Sequence, residues 1–450
     1  MHDTPFNPFT TPIAAEASTP KRVAIIGGGL AGLACAWHLQ QAGIDWHLFE
    51  AQPHLGGRVH THTHETGFLL DAGFQVLNTA YDEAQPWMND LNLRPFYAGA
   101  MIRHGNRFHK LGDPRRDRSQ LWHGFWSTLP TLGDKLKVLQ LQALSLQLNE
   151  AQLFELEEQT THEFLTQFGF SPRLIERFFT PFFGGVFLEE GLKTSFRKFL
   201  WAFQTFVNGQ ACLPAQGMQA LPQLIASQLP HNRLFTNVGL QHLSPPNPSE
   251  PYRTLLLSNG QTVPATHVVL AMDIPSICNL VGQALPVTYQ HTQVFYFSKQ
   301  SQLPSRLRHR CLWLNGNTVE QEPIQHLCFP SEVAPSYAPP NHQLMSVTLK
   351  PSWTPYDLDE ATLVASVKQQ LSQWFGKKEA DLWHYLQRVV VPCALPSSTL
   401  LYGTQQATLS PWQQHLEAAW QVQLAGDFMD TASINGALRS GRLTAERLTL

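Results

Sequence analysis

Residues 21–58 read KRVAIIGGGLAGLACAWHLQQAGIDWHLFEAQPHLGGR, and this stretch decides the fold. RVAIIG is a short apolar, β-branched run that predicts a buried parallel strand, and LAGLACAWHLQQAG follows with helical spacing and stops at Gly43. The turn between them carries Gly27-x-Gly29-x-x-Gly32. The first glycine permits the tight turn, the second lets the backbone approach a pyrophosphate, and the third lets helix and strand pack closely. At Leu30 and Ala31 the helix N-terminus offers free N–H groups and a positive dipole end to the phosphates. A second strand, DWHLFE, ends in Glu50, eighteen residues past Gly32 and followed by Ala51, where a carboxylate can hold both hydroxyls of an adenosine ribose. An acid there favours an unphosphorylated ribose, hence FAD or NAD and not NADP.

Composition sets the frame around this motif. A chain of 450 residues is long enough for two or three domains, and an apolar fraction of 43% supports a sizeable core. The charged fraction, 14%, is low against a usual value of about a quarter. A net charge of -3 offers no general attraction for nucleic acid. Cys35, Cys212, Cys278, Cys311, Cys328 and Cys393 show no metal-ligand spacing and fit reduced thiols in a cytoplasmic protein. No run approaches the roughly 18 apolar residues of a membrane helix. Residues 1–20 read as a flexible, Pro/Thr-rich tail without the features of a secretory signal.

The segment after the acid separates FAD from NAD. AQPHLGGR gives Glu50-x5-Gly56-Gly57-Arg58, which brings the backbone close to a cofactor a second time and adds a fork of donors for pyrophosphate or flavin carbonyl oxygens. GFLLDAGFQVL follows, with Asp71, Gly73, Phe74 and Gln75 at the end of another strand pair. Together these motifs resemble the flavoprotein superfamily of amine oxidases, protoporphyrinogen oxidases and phytoene desaturases. At the far end, VQLAGDFMDTASINGALRSGRLTAERL reads as a strand, Gly426-Asp427, a loop and a helix beginning near Asn435. It is similar to that family's C-terminal flavin segment, which implies that Asp427 binds ribitol or pyrophosphate and that Ser433, Ile434 and Ala437 lie at a helix end facing the flavin. A flavin gaining electrons gathers negative charge on its pyrimidine side, and a helix N-terminus stabilises charge there. ACLPAQGMQALPQLIASQL resembles the family's middle portion and implies a strand near Val238 whose backbone meets the adenine.

The resemblance implies an α/β fold in two parts: a discontinuous Rossmann-like domain (21–95, 208–282 and 416–450) holding FAD non-covalently, and an α+β substrate domain (96–207 and 283–415). The first half of the latter reads as mainly helical and the second as a mixed sheet. In FFTPFFGGVF, Phe182, Phe183, Gly184 and Gly185 suggest an apolar pocket with a close backbone approach to a ligand. Arg103, Arg107, Lys110, Arg115, Arg116 and Arg118 read as a solvated face, or as a patch for anionic headgroups that would make the protein peripheral to a membrane. His60, His62 and His64 alternate, but without a matching cysteine or acid cluster no metal site is expected.

Chemistry on a flavin asks little of side chains, because the flavin takes the hydride and the protein positions substrate. Amine oxidases of the superfamily add a lysine beneath the flavin and an aromatic cage. Alignment puts Gln293 and Ser433 at those places. No second glycine fingerprint serves a nicotinamide nucleotide, so electrons would leave to oxygen or a quinone. The resemblance thus implies a phytoene-desaturase-like FAD oxidoreductase acting on an apolar, terpenoid or carotenoid substrate. The alternatives are an amine or protoporphyrinogen oxidase, a flavin-dependent isomerase or cyclase with no net redox change, and a binding protein that keeps FAD without turnover.

Overall fold

The computed structural model describes residues 21–112, 130–149, 152–153, 156–247, 249–284, 287–317, 319–353, 359–397 and 411–450. The N-terminal tail and Arg115, Arg116 and Arg118 lie outside the described residues.

The run RVAII forms strand Arg22–Ile26, buried at every position, as a strand covered on both faces must be. It lies at the middle of a five-stranded parallel sheet with Asp45–Phe49 and then Leu234–Phe235 on one side, and His267–Leu270 and then Gln423–Leu424 on the other. In order of appearance the strands run 3-2-1-4-5, so the direction of winding reverses beside the first strand, where such sheets bind ligands. Alternation divides the core. Val23 and Ile25 pack under helices Leu30–Gln41 and Ile434–Thr449, whereas Ala24 and Ile26 face Leu243, Leu255, Leu257 and Val263 of a three-stranded antiparallel sheet. Strands lie close to Val238 but do not include it: Leu234–Phe235 ends before it and Leu240–Leu243 starts after it, and Asn237 takes a left-handed φ of 58° between them.

A second, seven-stranded sheet runs in the order His384–Pro396, Tyr289–Lys299, Gln343–Leu349, Ile324–Cys328, Leu312–Asn315, Gly99–His104 and Arg107–Gly112. It is mixed, since Leu312–Asn315 pairs parallel with Gly99–His104 and the other pairings are antiparallel. The hairpin 99–112 therefore corrects the mainly helical reading of that segment: its two strands pair antiparallel and complete the sheet edge. One face packs on helix Glu360–Phe375 through Phe295, Phe297, Met345 and Val347. Toward the other lie helices Thr180–Phe187 and Phe196–Asn208, the second capped by Ser195. Just before Thr180–Phe187, residues Ile175–Phe179 widen into a π-turn. Among the described residues no helix is long and apolar enough to cross a membrane.

Candidate functional site

The glycines of the first turn do three different things. Gly27 has φ 111°, and a Cβ there would lie 2.3 Å from the carbonyl oxygen of Ala271. A Cβ on Gly32 would lie 2.0 Å from the oxygen of Gly27, so this residue lets helix and strand touch. On Gly29 a Cβ would meet nothing within 4 Å. The backbone is thus open to a ligand at the middle glycine and closed by protein at the flanking ones. The second glycine pair docks on the same turn, with the amide of Gly56 donating to the oxygen of Gly28 at 2.8 Å and Gly57 standing against Gly29.

Glu50 is buried at the end of its strand, where its Oε2 accepts from the amide of Gly28 at 2.6 Å and its Oε1 from that of Gln52 at 2.7 Å. Two backbone donors thus fix the carboxylate while leaving lone pairs free for hydroxyl groups. The amide of Val238 donates to the carbonyl of Glu50 at 2.8 Å, and Ala51 packs by Gly239, so Glu50, Ala51 and Val238 form one cluster.

The other end of the chain closes over this turn. A Cβ on Gly441 would lie 2.2 Å from the oxygen of Ala31, so the C-terminal helix crosses the first helix backbone to backbone. That helix begins one residue before the sequence reading, at Ile434, with Ser433 as its cap accepting from the amide of Gly436 at 3.0 Å. Ala437 follows on the first turn. Gly426 donates its amide to the Ser440 hydroxyl at 2.9 Å, which presents Asp427. Arg58 grips Asp427 through both terminal nitrogens, at 2.9 and 2.6 Å, and donates to the oxygen of Ala394 at 3.0 Å. Burial alone would lower the Arg58 pKa, but the charge and hydrogen bonds of Asp427 outweigh it and hold the guanidinium firmly cationic. The two residues read separately as cofactor contacts are thus joined to each other.

The Gly73–Phe74–Gln75 turn ties this site to the large sheet. Gly73 has φ 97° and lies against Val391 and Thr292. The amide nitrogen of Gln75 donates to the oxygen of Arg58 at 2.7 Å. Behind them Asp71 is buried, its carboxylate accepting from Thr61 at 2.6 Å, from Tyr337 at 2.9 Å and from the amide of Met218 at 3.1 Å. Burial pushes this carboxyl up to about 6 against the pull of those bonds.

Several expected residues stand elsewhere than the sequence reading put them. Gln293 shares the Phe295 face of its strand and accepts from Arg388 at 2.8 Å, so the residue facing Gly73 is Thr292. Phe183 is 2% exposed among Phe179, Phe187 and Phe199, a core residue rather than a pocket wall. Gly184 and Gly185 approach protein instead of ligand: a Cβ would lie 3.1 Å from Nε2 of Gln325 and 2.9 Å from Nδ1 of His326 respectively. Phe182 is half-buried, against Phe178 and Phe206. Arg103 does not belong to a solvated face; it is 5% exposed and donates to the oxygen of Gln373 at 3.1 Å. Among the described residues no group of three or more His, Cys, Asp or Glu could hold a metal.

Two polar residues of this region were not picked out from the sequence. His326, on Ile324–Cys328, is 3% exposed, and neither ring nitrogen has a partner; burial lowers its pKa to about 4. Phe74 meets its ring edge-on at 5.0 Å. Lys198 is 4% exposed within FRKFLWAF, and burial lowers its pKa to about 8 against the attraction of Asp427 and Glu189. A lysine inside a phenylalanine-rich helix was the available signal.

The turn's open middle glycine, the fixed ribose acid and the helix end beside Asp427 fit FAD. Comparison with known proteins agrees. The family model described as flavin-containing amine oxidoreductase matches residues 30–449. Protoporphyrinogen oxidase 2, chloroplastic/mitochondrial, of Arabidopsis thaliana is 35% identical over 79 residues, 18% of this chain and 15% of that protein. The 4,4'-diaponeurosporene oxygenase of Staphylococcus aureus is 38% identical over 61 residues, 14% of this chain and 12% of that one. These matches thus span less than a fifth of either relative's length. In fold, the chain is similar to a protein from Exiguobacterium sp. 255-15 assigned as a protoporphyrinogen oxidase, with a TM-score of 0.71 at 18% identity over 96% of this chain and 99% of that one. The chain belongs to the family of flavin-containing amine oxidoreductases, and its cofactor is FAD.

Proposed function

We propose that the protein is an FAD-dependent oxidoreductase of the phytoene-desaturase kind, which removes hydride from a largely apolar, terpenoid-like substrate. The observation that carries this reading is a series of aromatic side chains that starts at the Gly73–Phe74–Gln75 turn. It runs from Phe74 to His326, past Gly185 to Phe182 and Phe206, and along the next helix to Trp201, which stacks with Tyr81. Such a wall suits a ligand whose surface is mostly hydrocarbon.

FAD, when bound, accepts the hydride. The chain's own residues would do the rest. Gly29 would let the pyrophosphate approach the backbone, Glu50 would hold the adenosine ribose, and Val238 and Ala51 would lie by the adenine. Asp427, oriented by Arg58, would meet the ribitol hydroxyls. The N-terminus of helix Ile434–Thr449 would stabilise negative charge gathering on the flavin. Thr292 at Gly73, where a lysine would favour an amine substrate, and Ser433, engaged as a helix cap, argue against the amine-oxidase reading.

The test is anaerobic mixing of the FAD-loaded protein with a detergent-dispersed polyene hydrocarbon, a primary amine and a porphyrinogen. Bleaching of the oxidised flavin bands by the polyene is expected, with oxygen and a quinone then compared as reoxidants. Bleaching by the amine or the porphyrinogen alone overturns the proposal. Conversion of the polyene without loss of hydrogen mass also counts against it and favours isomerisation.

A further inference from the structure

One cation of the helical layer lacks a counter-charge of its own. Lys198 lies in the first turn of helix Phe196–Asn208, 4% exposed, and among the described residues no hydrogen bond or ion pair engages its ammonium. A lysine kept for its hydrocarbon stem would carry its charge out to water. This one does not. Its Nζ lies 5.5 Å from the centre of the Phe187 ring.

Two acids act on it through space, Asp427 and Glu189. Both are committed. Asp427 holds Arg58 in two bonds, and the carboxylate of Glu189 accepts from the amides of Lys193 and Thr194 at 3.0 and 2.7 Å. One turn along the same helix, Trp201 stacks on Tyr81, with centroids 6.4 Å apart and an interplanar angle of 12°. Beyond Tyr81, Asp82 and Glu83 hold Asn435 and Arg442 of the C-terminal helix. Lys198 thus stands between the aromatic helices and the end of the nucleotide-binding sheet where Asp427 and Ser433 lie. A buried ammonium left unpaired is costly, and such groups persist where a ligand completes them.

We propose that Lys198 is the anion contact of the site: its ammonium binds a negatively charged group on the molecule beside Asp427. That chemistry has two sources, the cofactor's own negative charge and a carboxylate on the substrate. The second rests on the function proposed above and refines it to an apolar body with an anionic end.

The test uses the FAD-loaded wild type, Lys198→Met and Lys198→Arg, with three readouts. These are FAD retention by equilibrium dialysis, the flavin midpoint potential, and binding of decanoate, with decanol as the uncharged control, read from shifts of the flavin bands. Lys198→Met should weaken either decanoate or FAD binding about tenfold or more, or lower the potential, while Lys198→Arg retains most of the effect. Loss confined to decanoate assigns the contact to substrate. Loss of FAD or a lowered potential with decanoate unchanged assigns it to the cofactor. All readouts within about twofold of wild type and an unmoved potential overturn the proposal. If the wild type binds neither decanoate nor decanol, the apolar-substrate reading falls, and Lys198 is judged on FAD retention and potential alone. Lys198→Gln, which keeps length without charge, replaces Lys198→Met should the latter not fold.

Discussion

The two sides of the site are built on opposite terms. On the nucleotide side the carboxylates and the helix cap are already held, Glu50 by two backbone amides, Asp427 by Arg58 and Ser433 by the amide of Gly436, while Oε1 of Gln75 is left unpartnered. On the aromatic side His326 has two unpartnered ring nitrogens, Thr348, its register partner on the next strand, has an unpartnered hydroxyl, and Lys198 has no counter-ion. The first side is preorganised before any ligand arrives. The second keeps buried polar groups unpaired, unlike a finished core, whose buried polar groups are hydrogen-bonded.

The widest break in this comparison lies within the first turn itself. Gly32→Val drives a side chain into the backbone oxygen of Gly27, which cannot move aside, and should cost more than about 4 kcal/mol and the soluble fold. Gly29→Val should fold, with thermal stability of the FAD-free protein within about 1 kcal/mol of wild type, yet remain colourless after FAD is added. Equal failure of both variants would show that Gly29 does not face a ligand.

Asp427→Ala leaves the Arg58 charge half-buried without its partner and should cost about 2 kcal/mol of FAD-free stability, besides weakening FAD retention. An unchanged denaturation midpoint would mean that the pair is idle without the cofactor.

The aromatic side is tested by acid. Burial keeps the His326 ring neutral down to about 4, whereas unfolded histidine titrates near 6.5, so the unfolded chain takes up the proton first. The stability of the neutral ring is complete above pH 6.5 and is lost as pH falls toward 4, by up to about 3 kcal/mol. His326→Phe should flatten that limb of the stability profile. Asp71 has the opposite sign: with its carboxyl raised to about 6 from 3.8, the folded chain takes up the proton first and gains stability over that interval as pH falls. Asp71→Asn should therefore steepen the acid limb. Parallel profiles for both variants would remove these groups from the balance. The smallest effect belongs to Ser433→Ala, a lost helix cap costing about 1 kcal/mol, which Ser433→Asp should largely restore in thermal melts.

How far the site was legible depended on whether a residue's role is local. The strand, the helix and the acid fall within thirty residues, and Glu50 stands where the spacing put it. Gln293 missed by one residue, because alternation along a strand sends neighbours to opposite faces and the register shift between Gln290 and Thr292 is invisible in composition. Gly184 and Gly185 read as places where a ligand comes close, but protein stands against them: Glu189 and Gln325 at Gly184 and His326 at Gly185, the last two from a strand some 140 residues away. The hairpin 99–112 looked helical by association with the segment after it; its sheet partner, Leu312–Asn315, lies far along the chain.

The sequence by itself determined the dinucleotide turn and the parallel strands around it, since glycine spacing and unbroken apolar runs act through local sterics and burial. Only the tertiary structure decided that Arg58 would meet Asp427 across 369 positions, that Thr292 and not Gln293 would face Gly73, that Lys198 would be buried against Phe187 without a counter-ion, and that His326 would be buried without a hydrogen-bond partner. Such roles depend on which distant groups arrive in hydrogen-bond range, and no local pattern encodes a meeting of that kind.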